Sequence, residues 1–272
     1  MTLDLKREQL LANLAELESC AVAFSGGVDS AVVAKAAQLA LGERAVAITG
    51  TSASLARGEL DDAIRLAALI GIRHEVVATD EFSQTNYLRN ASDRCYHCKT
   101  ELYTRLEELL PQLGVRHAVN GANADDLGDY RPGLQAATEH AVRSPLAECW
   151  LTKQDVRELA RFWNLPVAEK PASPCLSSRV AYGEEVTPER LAMIDSAEQL
   201  LRSLGLTTVR VRYHKGDLAR LEVPLAALPQ LVNDALRRDL VAQLRQLGFK
   251  FVTLDLEGFR SGSLNQLVAL KL

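Results

Sequence analysis

The sequence predicts an α/β fold, a doubly wound parallel sheet joined to a smaller C-terminal α+β domain. Short apolar runs of strand length alternate with helix-length amphipathic runs over roughly the first 165 residues. That alternation is the pattern of parallel βαβ units with right-handed crossovers. Three prolines then fall close together (Pro166, Pro171, Pro174), and beyond them the order of elements changes.

Leucines at 10, 11, 14 and 17 place a helix over residues 5–18. CAVAFSGG is a buried strand running into glycines, and SAVVAKAAQLALG is a helix closed by Gly42. AVAITG (45–50) is the second strand, GELDDAIRLAALIG the next helix and HEVVAT the third strand. A helix over 99–110, strand HAVNGA and a helix over 152–163 complete the first part. After the prolines come a helix over 187–204, strands TVRVRYH and ARLEVP, a helix over 225–246 and strand FVTLDL. This α-β-β-α-β run is too short for a second doubly wound unit, so domains are expected at 1–170 and 171–272. The sequence contains no internal repeat and no low-complexity segment.

Of 272 residues 47% are hydrophobic, and 31 basic against 35 acidic side chains give a net charge of −4. Ordinary apolar content excludes disorder, and a mildly acidic balance argues against a nucleic-acid coat protein. No apolar run reaches the ~18 residues of a spanning helix. The first residues are amphipathic and charged, unlike a signal peptide, so a cytoplasmic protein without a membrane partner is expected. Five cysteines (Cys20, Cys95, Cys98, Cys149, Cys175) are an odd number, poor material for a disulfide framework.

The segment Ser25-Gly26-Gly27-Val28-Asp29-Ser30 follows a buried strand and opens a helix. Glycines let a backbone approach a phosphate, the amides converge on it, and the helix N-terminus adds a favourable dipole. It is neither a Walker loop nor a dinucleotide fingerprint, since the required Gly-Lys-Ser/Thr and G-x-G-x-x-G patterns are absent. SGGVDS resembles the PP-loop of the ATP pyrophosphatases, which cleave ATP to AMP and pyrophosphate. The resemblance implies that Ser25, Gly26, Gly27, Asp29 and Ser30 bind ATP with Mg2+. A second tract, NGANADDLGDYRPG (120–133), leaves a strand at the ligand-binding edge of the sheet. There Asp125, Asp126 and Asp129 are candidates for Mg2+ and Arg131 for a phosphate.

These tracts, with ASPCLSSR (172–179), TVRVRYH and VTLDLEGFRSG (252–262), resemble the LarE family over nearly the whole chain. Its members are ATP-dependent sulfurtransferases that convert pyridinium-3,5-biscarboxylate mononucleotide into thiocarboxylates. They serve synthesis of the nickel-pincer nucleotide, the cofactor of lactate racemase. The resemblance implies adenylation of a substrate carboxylate and delivery of sulfur to the acyl adenylate. It also implies a homo-oligomer (trimers paired into hexamers) and a sulfur source such as sulfide or a cysteine desulfurase.

In the best-known members the cysteine matching Cys175 is itself the sulfur donor, and Ser178 and Arg179 stand beside it in this sequence. Members that sacrifice that cysteine lack the pair found here at Cys95 and Cys98. Three chemistries suit such a pair. Zinc wants four ligands, and His97 between the cysteines is poorly placed to be the fourth. A redox dithiol leaves Cys175 unexplained. A [4Fe–4S] cluster on Cys95, Cys98 and Cys175 leaves one iron open to carry an extra sulfide. The third agrees with a three-cysteine branch of the family. Cys20 and Cys149 are expected in the core.

Arg210 and Arg212 stand two apart on a strand and share a face, suiting a substrate with two carboxylates and a phosphate. Arg260 joins them by resemblance, with Glu198 and Glu222 to orient the arginines or bind Mg2+. The alternative function is a tRNA thiolation enzyme of the cluster-dependent PP-loop type. Net charge and the absence of zinc-knuckle cysteine pairs count against it.

Overall fold

The structure is a computed structural model and describes residues 2–128, 132–171, 173–260 and 263–265. The chain begins α1 (Leu3–Ala15), β1 (Cys20–Ala23), α2 (Val28–Leu41), β2 (Ala45–Thr51), α3 (Glu59–Ile70), β3 (Arg73–Ala78). Next come α4 (Thr85–Leu88), α5 (Arg94–Leu113), β4 (His117–Val119), α6 (Pro132–Glu139), α7 (Pro145–Glu148) and α8 (Lys153–Phe162). The remainder holds α9 (Pro188–Ser203), β5 (Arg210–His214), β6 (Leu218–Glu222), α10 (Leu228–Val232), α11 (Asp234–Gln246) and β7 (Phe251–Leu254). Two compact units result, Met1–Glu81 with Cys95–Ser173, and Phe82–Arg94 with Pro174–Leu272. Phe82–Arg94 therefore groups with residues far along the chain rather than with its sequence neighbours.

In the first unit four parallel strands lie in the order β3-β2-β1-β4. Alternate residues of each strand face opposite sides, and in β1 and β2 both sides are buried, whereas the edge strand β3 is half-exposed. Cys20, Val22, Ala45 and Ala47 pack with Leu10, Leu14, Val32, Leu66, Val156 and Leu159 of α1, α2, α3 and α8. Ala21, Val46, Ile48 and Ala118 pack on the other side with Tyr103 and Leu106 of α5 and Ala136 and Ala137 of α6. This is the doubly wound α/β arrangement the sequence predicts. Because β1 has β2 on one side and β4 on the other, the strand order reverses at β1/β4. Loops leaving the carboxyl ends of those two strands flank the crevice where such sheets bind ligands.

The second unit holds the smaller sheet, ordered β5-β6-β7, antiparallel between β5 and β6 and parallel between β6 and β7. Helices α4, α6 and α7 are additions to the sequence expectation, and two expected helices differ in their bounds. Helix α5 starts at Arg94 rather than near 99, so Cys95 and Cys98 lie within its opening residues, not ahead of it. Its buried face (Tyr103, Leu106) begins later, and the polar opening turn hid the start. The helix expected over 225–246 is broken at Asn233, which is extended (φ −57°, ψ 134°) and caps α11 by accepting from Ala235 N.

Candidate active site

Strand β1 delivers the phosphate loop. Gly26 takes φ 70°, a left-handed conformation open to glycine, and a Cβ there would press on Ala63 at 3.4 Å. Ser25 N donates to Ser30 Oγ at 3.2 Å, and Ser30 Oγ donates to Gly27 O at 3.1 Å, closing the loop on itself. Gly27 caps α2 without a side-chain hydrogen bond, which leaves first-turn amides for an anion. Behind the loop, Thr49 Oγ1 donates to Phe24 O at 2.8 Å and meets His74 Nε2 at 2.8 Å.

The loop after β4 is pressed against the same helix end. A Cβ on Gly121 would lie 2.8 Å from Ser30 N and 3.0 Å from the Asp29 carbonyl carbon, so only glycine fits. Asn123 Nδ2 donates to Asp29 Oδ1 at 3.1 Å, and Lys153 Nζ pairs with Asp29 Oδ2 at 2.5 Å. Asp125, exposed, accepts from Lys153 N at 2.8 Å, and Asp126, buried, accepts from Asn123 N at 3.0 Å. The structure thus brings Asp29 and Asp125 together through Lys153. Sequence reasoning missed Lys153, Asn123 and Gly121. A signal for Lys153 existed in the Thr152/Asp155 capping box that sets it at the start of α8. Asp129 and Arg131 lie outside the described residues.

Mg2+ usually takes one or two carboxylates, keeps several waters and shares the phosphates of its nucleotide. Asp29 and Asp125 beside an anion-binding loop fit that donor set.

In the second unit Cys175 is the exposed N-cap of a short 3-10 helix, Leu176–Arg179, whose other residues Leu176, Ser177 and Arg179 are buried. Arg179 is 1% exposed, and its Nη1 donates to Pro174 O and, at 2.8 Å, to Cys175 O. Ser178 Oγ donates to the same Cys175 carbonyl at 2.7 Å. Glu198, fully buried, accepts from Arg179 Nε at 3.0 Å, Arg202 Nη2 at 2.9 Å and Val211 N at 3.2 Å. Arg212 Nη1 donates to Ser178 O at 3.1 Å while its Nη2 pairs with Glu222 Oε2 at 2.8 Å. Glu222, also fully buried, further accepts from Arg220 and Ser263 Oγ.

Arg210 stacks over Phe259, and burial, then the charges of Arg179, Arg212 and Arg202, push its pKa down to about 10. Glu198 opposes that shift. Positive charge outweighs carboxylate around Arg210, an arrangement suited to an anionic ligand. Arg260 pairs with Glu257 and Asp255.

The cysteines separate into two kinds. Cys20 and Cys149 are buried, and burial pushes their thiols up to about 12 and about 11. Cys95 and Cys175 are exposed, Cys98 is partly so, and no disulfide joins the five among the described residues. Cys95 and Cys98, three apart on α5, lie on one side of that helix. Accessible thiols at 95, 98 and 175 have the donor chemistry that iron–sulfur clusters take. Among the described residues no group of three or more His, Cys, Asp or Glu stands gathered as a metal site.

Residues 8–103 match the NAD synthase family model. The chain is 48% identical to an uncharacterized protein of Synechocystis sp., over 98% of this chain and 99% of that protein. It is 40% identical to pyridinium-3,5-bisthiocarboxylic acid mononucleotide synthase of Lactiplantibacillus plantarum, over 97% of this chain and 95% of the synthase. A partial likeness, 30% over 56% of this chain and 49% of its relative, links it to tRNA-specific 2-thiouridylase MnmA of Xanthobacter autotrophicus. No helix among the described residues is long and apolar enough to cross a membrane. With the phosphate loop, the doubly wound sheet and a whole-length relative in agreement, the chain belongs to the LarE family of PP-loop enzymes, the family of pyridinium-3,5-bisthiocarboxylic acid mononucleotide synthase.

Proposed function

We propose that the protein is a cytoplasmic, homo-oligomeric, ATP-dependent sulfurtransferase of nickel-pincer nucleotide synthesis. It adenylates carboxylates of pyridinium-3,5-biscarboxylate mononucleotide and converts them to thiocarboxylates. The observation that carries this reading is the whole-length similarity to the synthase, which spans the phosphate loop and the Cys175 region alike.

The chemistry follows from the residues. Backbone amides of Gly26 and Gly27, with Ser25 and Ser30, bind the pyrophosphate end of ATP, and Lys153 adds a cation beside them. Asp29 and Asp125 hold Mg2+. A substrate carboxylate oxygen attacks the α-phosphorus and pyrophosphate leaves, so a hopeless oxide leaving group becomes AMP. Arg210, Arg212 and Arg260 meet the substrate's anionic groups, and buried Glu198 and Glu222 fix the guanidiniums that neighbour them. A sulfur nucleophile then attacks the acyl carbon and expels AMP, next to Cys175, Ser178 and Arg179. Cys95, Cys98 and Cys175 hold a [4Fe–4S] cluster, which when bound supplies the transferred sulfur. The accessibility of those three thiols, against the burial of the other two, supports the assignment.

Incubation of anaerobically reconstituted protein with the biscarboxylate mononucleotide, ATP and sulfide tests the reading. Mass spectrometry is expected to show the thiocarboxylate, with AMP released and about four irons per chain. Thiolation of tRNA in place of the mononucleotide, or zinc in place of iron, overturns it.

A further inference from the structure

We propose that Arg94, acting with Asn90 and Tyr87, is a positioning residue for the Cys175 loop. Arg94 directly precedes Cys95 in sequence but belongs to the same compact unit as Cys175. It is 5% exposed, and its Nη1 donates to Ser177 O at 2.8 Å and Asn90 Oδ1 at 2.5 Å. Asn90, fully buried at φ 52°, spends its amide group on the other end of the same loop. Its Nδ2 donates to Ala181 O at 2.9 Å and Val180 O at 3.3 Å. The guanidinium has only donors, so it fixes which way the Asn90 amide points. Tyr87 OH meets Ser177 Oγ at 2.6 Å, both groups buried.

With Arg179 on Pro174 O and Cys175 O and Arg212 on Ser178 O, three arginines hold four carbonyls of one short turn. Arg179 and Arg212 each lie against a buried carboxylate of their own. Arg94 instead links two backbone regions, 177 directly and 180–181 through Asn90. Removing it leaves the buried Ser177 carbonyl a donor short and frees Asn90 to turn over. The loop then loses register while the exposed Cys175 side chain is untouched. An outer partner of a reacting group typically costs about 10–100-fold in activity when lost.

The proposal rests on the sulfur-transfer reading for its kinetic arm only. Arg94→Gln, Arg94→Lys and Tyr87→Phe are made in the full chain. In Arg94→Gln, thiocarboxylate formation is expected to fall about 10–100-fold, with ATP–pyrophosphate exchange retained within about 3-fold. Arg94→Lys recovers part of the loss, since an ammonium reaches one acceptor but lacks the planar fork. In cluster-free protein, amide hydrogen exchange over 176–181 accelerates in Arg94→Gln and, more weakly, in Tyr87→Phe. Unchanged exchange in both variants overturns the proposal, as does an equal loss of adenylation and transfer in Arg94→Gln. Should Arg94→Gln fail to fold, Tyr87→Phe decides by the same exchange readout. Should the wild type form no thiocarboxylate, the functional reading falls while the exchange arm still judges Arg94.

Discussion

Between Ser25 and Ser30 the chain is held by small residues and its own backbone. Between Pro174 and Arg179 it is held by long side chains arriving from positions 87 to 212. The first loop is shaped by Gly26 at positive φ, by Gly121 pressed onto Ser30, and by serine hydroxyls within six residues. The second is shaped by Arg94, Arg179 and Arg212, with Glu198 and Glu222 buried behind two of them. A phosphate is bound best by amides that nothing else occupies. A loop that presents an exposed thiol is better fixed by satisfied carbonyls that cannot drift. The difference teaches where each loop breaks: the first through added atoms, the second through deleted charges.

Glu198→Ala probes the second loop and has the largest expected effect. It strands the buried Arg179, and breaking a buried pair this way costs about 3–5 kcal/mol. Urea unfolding checks this, and a loss below about 1 kcal/mol would contradict a structural carboxylate. Gly121→Ala probes the first loop by steric overlap and should cost about 1–3 kcal/mol. ATP–pyrophosphate exchange should fall with it, whereas a fully active Gly121→Ala would mean the two loops do not need their close approach.

The thiol of Cys20 gives a third, pH-dependent effect. Its folded pKa of about 12 exceeds the ordinary 9.0, so above that ordinary value the unfolded chain loses the proton and the folded one keeps it. Stability therefore falls from about pH 9 upward, by roughly 1.4 kcal/mol per pH unit until the folded thiol also ionises. Unfolding curves at about pH 8 and about pH 10 should diverge for the wild type more than for Cys20→Ala. The smallest change is Thr152→Ala, which removes the capping box ahead of Lys153 and should cost about 1 kcal/mol in thermal unfolding.

Much of the first unit was legible because its signals are local. Alternating strand and helix lengths gave the doubly wound sheet, and SGGVDS gave the phosphate loop within six consecutive residues. Lys153 escaped because its role depends on reaching Asp29 from 124 positions away. In the second unit Arg212 stood out by its spacing from Arg210 on a strand, and Arg179, Glu198 and Glu222 only as members of family-like tracts. Their pairing, Arg179 with Glu198 and Arg212 with Glu222, is a tertiary fact that no spacing encodes. Tyr87, Asn90 and Arg94 gave no signal at all, since their stretch carries neither clear periodicity nor a motif. The first turn of α5 escaped for a related reason, its polar residues masking a helix whose buried face starts later.

Thr49 has a single hydroxyl hydrogen, and it goes to the Phe24 carbonyl at the end of β1. The contact with His74 is therefore made by the ring's own N–H, which fixes the Nε2–H tautomer and leaves Nδ1 bare. Burial lowers the ring's pKa, with Glu75 opposing, so the imidazole stays neutral near pH 7. Nitrogen chemical shifts distinguish the two tautomers of a neutral imidazole. His74 is thus a built-in spectroscopic reporter, one ring whose signal registers any shift of the strand end that carries the phosphate loop.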